Sequence, residues 1–185
     1  IMNELNASNS AYLKHHAQNP IHWKTWSDKT LETALIENKL IILSIGYSAC
    51  HWCHVMEKET FSNHQIASLM NEHFISIKVD REEHPDVDNA YMDFIMETKG
   101  NGGWPLNCIL MPDGKPLYAG TYFRPIEWMQ LLNRFRNLHD QHPESLVDFS
   151  RQYLQHSLEL SQKTKKGDFN FIGSFSEWSY FLDIK

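Results

Sequence analysis

Cysteine is scarce in this chain: three in 185 residues, two of them in one short motif. Three thiols build no disulfide framework. Such sparse use fits a reducing compartment, where a close pair is more often catalytic or metal-binding than structural. Long apolar runs are missing too. The longest, Leu40-Ile41-Ile42-Leu43, is far too short to span a bilayer. Basic charge is in deficit, with 17 Lys and Arg against 23 Asp and Glu, a net charge of -6 and a pI near 6.0. No electrostatic footprint for nucleic acid or an anionic membrane exists, so neither is an expected partner. Residues Ile1 to Pro20 are polar and hold no apolar stretch of the signal-peptide kind, which makes cytoplasmic the expected location. Internal repeats and low-complexity tracts are absent. What remains is ordinary for one globular domain: 42% hydrophobic and 22% charged residues, enough to bury a core without staples.

The predicted organisation is a domain over residues 1–165, an irregular arm at 1–27 and a C-terminal tail at 166–185. The arm is rich in Asn, His and Trp and contains a short helical piece around Ser10 to His16. Asp28 is placed to cap a helix through about Asn38, with Leu31, Ala34 and Leu35 on one face. Leu40 to Gly46 reads as a buried parallel strand. Helical signal follows from Cys50 to about Glu59, breaks at Ser62-Asn63 and resumes from His64 to Glu72. Phe74 to Val79 is a second strand, alternating at Ile75, Ile77 and Val79. Val87 to Thr98 has a helical period and stops at the glycines of 100–103. Leu106 to Met111 and Pro116 to Gly120 form a hairpin around the turn at Pro112 to Lys115. Two amphipathic helices close the pattern, one marked by Trp128, Leu131, Leu132, Phe135 and Leu138. Leu146, Phe149, Tyr153, Leu154 and Leu158 mark the other. The order α, β, α, β, α, β, β, α, α predicts a thioredoxin-like three-layer α/β/α fold with an N-terminal arm and an extra C-terminal helix. The tail either packs as an aromatic strap or stays mobile, and its pattern favours neither.

Chemistry concentrates at Cys50-His51-Trp52-Cys53, set where a buried strand hands over to a helix. Two intervening residues let both thiols meet on the first helical turn and close a small ring. Backbone N–H groups there, helped by His51 or His54 when protonated, stabilise a Cys50 thiolate. Cys50 is then the attacking nucleophile and Cys53 the resolving thiol. Trp104-Pro105 follows a glycine-rich loop and opens a strand, where a cis bond is a plausible geometry. In this layer order that loop lies against the dithiol and offers backbone to a peptide substrate by strand addition. Asp80, at a strand end, borders the same region, while Glu82, Glu83 and Asp86 read as a solvated loop. Cys108 reads as a small buried hydrophobe.

The same residues allow other readings of the cysteines. Cys50-x-x-Cys53-His54 is the haem c attachment pattern, but it follows a core strand and no leader is expected from residues 1–20. Zinc would need Cys50 and Cys53 plus two of His15, His16, His22 and His64, with no second pair at finger-like spacing. No metal and no cofactor is expected. Packing of the arm is the favoured reading of His15, His16 and His22, and solvation that of His139, His142 and His156. A binding module without catalysis is the alternative function. In that case Trp23, Trp26, Trp52 and Trp104 form one exposed apolar patch.

The run Ser44 to Glu57 closely resembles the signature of the spermatogenesis-associated thioredoxin-like family. Val79-Asp80-Arg81-Glu82-Glu83, Gly102-Gly103-Trp104-Pro105-Leu106, Met111 to Pro116, Gly120-Thr121-Tyr122-Phe123 and His16-Ala17-Gln18-Asn19-Pro20 resemble it also. The resemblance covers about residues 3 to 160. It implies a thioredoxin fold, Cys50 and Cys53 as a redox pair, and Pro105 in the cis-proline position. The resemblance implies little about substrate; the partners expected for the dithiol are a disulfide-bearing protein or peptide and an unknown electron donor. Longer members carry a helical toroid similar to sugar-processing barrels, and a chain ending at Lys185 is expected to lack that partner domain. Two departures stand out. Ser44 occupies the place where thioredoxins proper carry a buried Asp, so proton handling is expected to differ, through His54, Asp80 or water. Arg124-Pro125-Ile126-Glu127 is abbreviated against the family's longer stretch.

Overall fold

In the computed structural model, residues 2–164 are described. Four strands make one sheet in the order β2-β1-β3-β4. They are β1 (Leu40–Gly46), β2 (Phe74–Asp80), β3 (Leu106–Leu110) and β4 (Pro116–Gly120). β1 runs parallel to β2 and antiparallel to β3, and β4 returns antiparallel on β3. The helices are α1 (Ala11–His15), α2 (Asp28–Glu37), α3 (His51–Met56), α4 (His64–His73), α5 (Pro85–Lys99), α6 (Pro125–Gln141) and α7 (Pro143–Thr164). A 3-10 turn at Glu4–Ala7 precedes α1, and a π turn at Glu57–Phe61 separates α3 from α4. The thioredoxin-like α/β arrangement expected from the pattern is the one observed. Residues 166–185, read as a tail, lie outside the described residues.

The apolar run of β1 is buried at all seven positions, as a strand covered on both faces requires. β2 is buried at all seven positions too, although its sequence alternates. Alternation marks only one face as apolar, so the burial of Ser76 and Lys78 is a finding that the period does not supply.

The reason is the arm. Residues 1–27, expected as an irregular arm with a short helical piece at Ser10 to His16, form that piece as α1, and Leu5, Tyr12, Leu13, Ala17, Ile21 and Trp23 are core residues. Lys24 bridges to Ile77, its N–H donating to Ser76 O at 2.8 Å while Lys78 N–H donates back to Lys24 O at 3.0 Å. The chain start thus covers the outer edge of β2, the position where a sheet is otherwise open to association.

Smaller corrections concern caps and faces. Ser27, not Asp28, caps α2, its hydroxyl accepting from Thr30 N–H. On that helix Ala34 is buried but Leu35 is exposed. Asn38 closes α2 in the left-handed conformation, and Gly100 (φ 75°) closes α5. On α7, Leu146 and Phe149 are buried while Leu154 and Leu158 face solvent.

Candidate active site

β1 ends at Gly46, a three-residue loop follows, and α3 begins at His51, so the chain reverses with Cys50 at the N-cap. Cys50 and Cys53 are joined in a disulfide with a Cα–Cα distance of 5.3 Å. Cys50 Sγ accepts the Cys53 N–H at 3.2 Å, the backbone contact expected to favour a thiolate there. Both cysteines are buried, Cys50 at 4% exposure and Cys53 at 1%.

Outside the pair lie the residues expected to surround it. His51 and Trp52 are exposed and meet edge to face, and Trp52 also packs on Tyr122 at 5.1 Å between centroids. His54 turns back on the preceding loop, its Nε2 2.7 Å from Ser48 O. The Trp104–Pro105 bond is cis. Trp104 packs edge-on against Tyr47 and beneath the Arg81 guanidinium, 4.1 Å from its ring centroid. Its indole N–H donates to Asp88 Oδ1 at 2.8 Å, and Arg81 Nε donates to Oδ2 of the same carboxylate at 3.1 Å. An open groove of about 270 Å³ runs between these two aromatic groups, lined by Trp52, Gly102, Gly103, Trp104, Thr121 and Tyr122. The single tryptophan patch does not form, because Trp23 is in the core and Trp26 packs toward Tyr91.

Beneath the disulfide the layout departs from what the sequence offers. Ser44 and Lys78 are cross-strand partners in the β1–β2 register, and Lys78 Nζ donates to Ser44 Oγ at 2.8 Å. Lys78 is 1% exposed and faces the rings of Tyr12, Trp23 and Phe61 at 5.3, 5.4 and 4.9 Å. Burial brings its pKa down to about 7, against the raising effect of the Glu57 charge. His16 is fully buried with Nδ1 3.1 Å from Asn19 Oδ1, and burial, then the Lys78 charge, hold it well below the usual histidine range. Asp80 accepts from the Ser10 hydroxyl at 2.6 Å and from Glu82 N–H at 3.0 Å, so it clamps the arm to β2. Glu57 accepts from Asn19 Nδ2 at 3.2 Å and lies 2.9 Å from His15 Nε2.

Sequence reasoning missed Tyr12, Lys78 and Glu57. A lysine in mid-strand reads as solvated, and only the register that sets it opposite Ser44 gives it away. His15, His54 and Glu57 bring ligating atoms within 4.8 Å of one another, a grouping that includes neither cysteine and neither His22 nor His64. Cys108 is a free, buried thiol, and burial pushes it well above the usual range, in keeping with a packing role. His142 is exposed and lies 3.4 Å from Glu144, while the half-buried His139 reaches Asn38 O. Among the described residues no helix is long and apolar enough to cross a membrane.

Comparison with known proteins places this geometry. Residues 2–159 match the family Thioredox_DsbH, described as "Protein of unknown function, DUF255". The chain is 43% identical over 174 residues to uncharacterized protein B0495.5 of Caenorhabditis elegans, covering 91% of this chain and 24% of that protein. It is 44% identical over 157 residues to human spermatogenesis-associated protein 20, covering 82% of this chain and 20% of that one. The chain therefore spans about a quarter or less of the length of these relatives. Among solved structures it resembles a DsbH oxidoreductase (TM-score 0.53, 16% identity, 64% of this chain and 85% of that one). A thioredoxin from Thermus thermophilus is similar at TM-score 0.52 and 15% identity, over 63% of this chain and 87% of that one. At such identities the structures establish the fold.

Proposed function

The chain belongs to the Thioredox_DsbH (DUF255) family, and from that premise we propose that it is a thiol–disulfide oxidoreductase acting through Cys50 and Cys53. The observation that carries this reading is a closed Cys50–Cys53 disulfide at a strand–helix junction, beside an open aromatic groove. Substrates are disulfide-bearing proteins or peptides. In the reducing direction Cys50 thiolate attacks one substrate sulfur, the other sulfur leaves as a thiolate, and a mixed disulfide forms. Cys53 then attacks Cys50, regenerating the internal disulfide and releasing the reduced substrate. An external thiol donor must reopen the ring for the next cycle. Trp104 and Pro105 dock substrate backbone, and Trp52 flanks the groove from the other side. Sparse cysteine use supports a reducing, cytoplasmic setting.

The test is equilibration of purified protein with glutathione redox buffers, followed by quantifying the dithiol. The expected result is a reversible two-electron transition that is lost in Cys50→Ser. A pair that stays in one redox state at every poise, with unchanged substrate reduction by Cys50→Ser, defeats the reading. Exposure of Trp52 at 53% favours the second reading, a docking module. That one predicts partner capture that survives replacement of both cysteines by serine.

A further inference from the structure

The thiol chemistry proposed above gives no role to a buried group that lies beside it. Tyr12 comes from the arm, is 1% exposed, and its hydroxyl has no hydrogen-bond partner. A buried donor left unpaired is costly and calls for an explanation. Its neighbours give one. A Cβ built on Gly46 would lie less than 3.0 Å from both Tyr12 Oη and Cys53 Sγ. The phenol oxygen and the Cys53 sulfur therefore border the same small space beside Gly46, which has no room for a methyl group. Glycine at position 46 keeps that space open.

We infer that the Tyr12 hydroxyl is the hydrogen-bond donor to the Cys53 sulfur once the Cys50–Cys53 bond is opened, and so sets the acidity of the resolving thiol. A disulfide sulfur is a poor acceptor, whereas a thiolate is a strong one, so the hydroxyl is unpaired in the closed form and paired in the open form. Tyr12 is a positioning residue that acts through Cys53 and touches no substrate. In the resolving step Cys53 loses its proton to solvent, and its sulfur attacks Cys50 Sγ of the mixed disulfide. The Cys50–Cys53 bond forms, and the substrate sulfur departs with the bonding electron pair. The hydroxyl stays protonated throughout, because burial and then the charges of Asp80 and Glu57 push it above the ordinary tyrosine range. The other polar groups around it are Lys78 over one ring face, the Ser44 hydroxyl that Lys78 holds, and the neutral ring of His16, 4.9 Å from the Tyr12 ring. In this arrangement the arm supplies a neutral donor to the thiol where thioredoxins proper use the buried carboxyl that Ser44 replaces.

The inference rests on the oxidoreductase reading but is tested separately from it. Tyr12→Phe deletes only the hydroxyl and keeps the ring. The open form should lose a bond that the closed form never had, so the equilibrium shifts toward the disulfide. The expected shift is about tenfold, a potential more negative by about 30 mV for a two-electron couple. In a Cys50→Ser background, Tyr12→Phe should raise the Cys53 thiol pKa, read from thiolate absorbance against pH with the Cys50→Ser/Cys53→Ser protein as blank. A third readout uses the unaltered protein: the Tyr12 ζ-carbon resonance should move on reduction. Unchanged thiol titration in the Phe variant, or a ζ-carbon signal indifferent to reduction, overturns the inference. A Cys50–Cys53 pair that shows no reversible exchange defeats the oxidoreductase reading instead, and the thiol titration still decides the role of Tyr12.

Discussion

Lys78 carries an amine into a setting that water does not reach, among three aromatic rings and one serine hydroxyl. Burial lowers its pKa from an ordinary 10.5 to about 7, and the consequence for stability has a definite sign. Below pH 7 the folded and unfolded chains both hold the proton, and folding carries the full cost of burying the charge. Between about 7 and 10.5 the unfolded chain binds a proton that the folded chain releases, so stability rises with pH. Above that window the effect is complete. The slope from one such group approaches about 1.4 kcal/mol per pH unit. Lys78→Met keeps the bulk and removes the titration. Urea unfolding of both proteins at pH 7 and pH 9 should show the wild type gaining on the variant by roughly 2 kcal/mol, and equal gains in both would mean that Lys78 titrates as a solvated lysine. The same residue marks a limit of sequence reading at this scale. Cys50 and Cys53 announce themselves by spacing, whereas Lys78 and Tyr12 become site residues only through a cross-strand register and an arm folded over it.

Among the elements, β1, the hairpin and the long helices were legible because local pattern and tertiary role agree in them. Leu40–Gly46 is apolar throughout and buried throughout, and Gly100 ends α5 by a conformation that glycine favours. The arm's short helix was legible at Ser10 to His16, whereas its docking on β2 was not, since those contacts are long-range and the arm's period is broken. Its attachment is polar as much as apolar. The Ser10 hydroxyl accepts from Leu13 N–H to cap α1 and donates to Asp80 across 70 residues of sequence. Removing it costs α1 its cap, worth about 1 kcal/mol. It also deprives a buried carboxylate of a charge-assisted bond, worth roughly 1.5–3 kcal/mol. Ser10→Ala should therefore lower folding stability by roughly 2–4 kcal/mol in denaturant titrations. Hydrogen exchange should rise first along α1 and at Lys24 and Lys78, where the arm pairs with β2. A variant within 0.5 kcal/mol of wild type, with unchanged exchange there, would show that apolar packing of Leu5, Leu13 and Trp23 holds the arm alone.

At the scale of the molecule, a dithiol switch is useful only if opening it leaves the scaffold standing, and the distribution of stabilising contacts says that it does. Cys50 and Cys53 are three apart in sequence, so their bond closes a very short loop. In the chain-entropy account such a loop restrains the unfolded state by only about 2 kcal/mol. The large apolar burial lies elsewhere, in β1, β2 and β3 and in the aromatic column of Trp23, Phe61, Trp128 and Phe123. Cys108 is sealed in β3 and offers no route to a wrong pairing when the ring opens. Reduction should then leave the near-ultraviolet circular dichroism of the core in place and lower the melting temperature by about 4–8 °C, at 2–4 °C per kcal/mol for a chain of this size. Replacing both cysteines by serine should reproduce the reduced protein. Collapse of the near-ultraviolet signal on reduction would instead make Cys50–Cys53 a structural staple, because a bond that the fold cannot do without is one that no substrate can exchange.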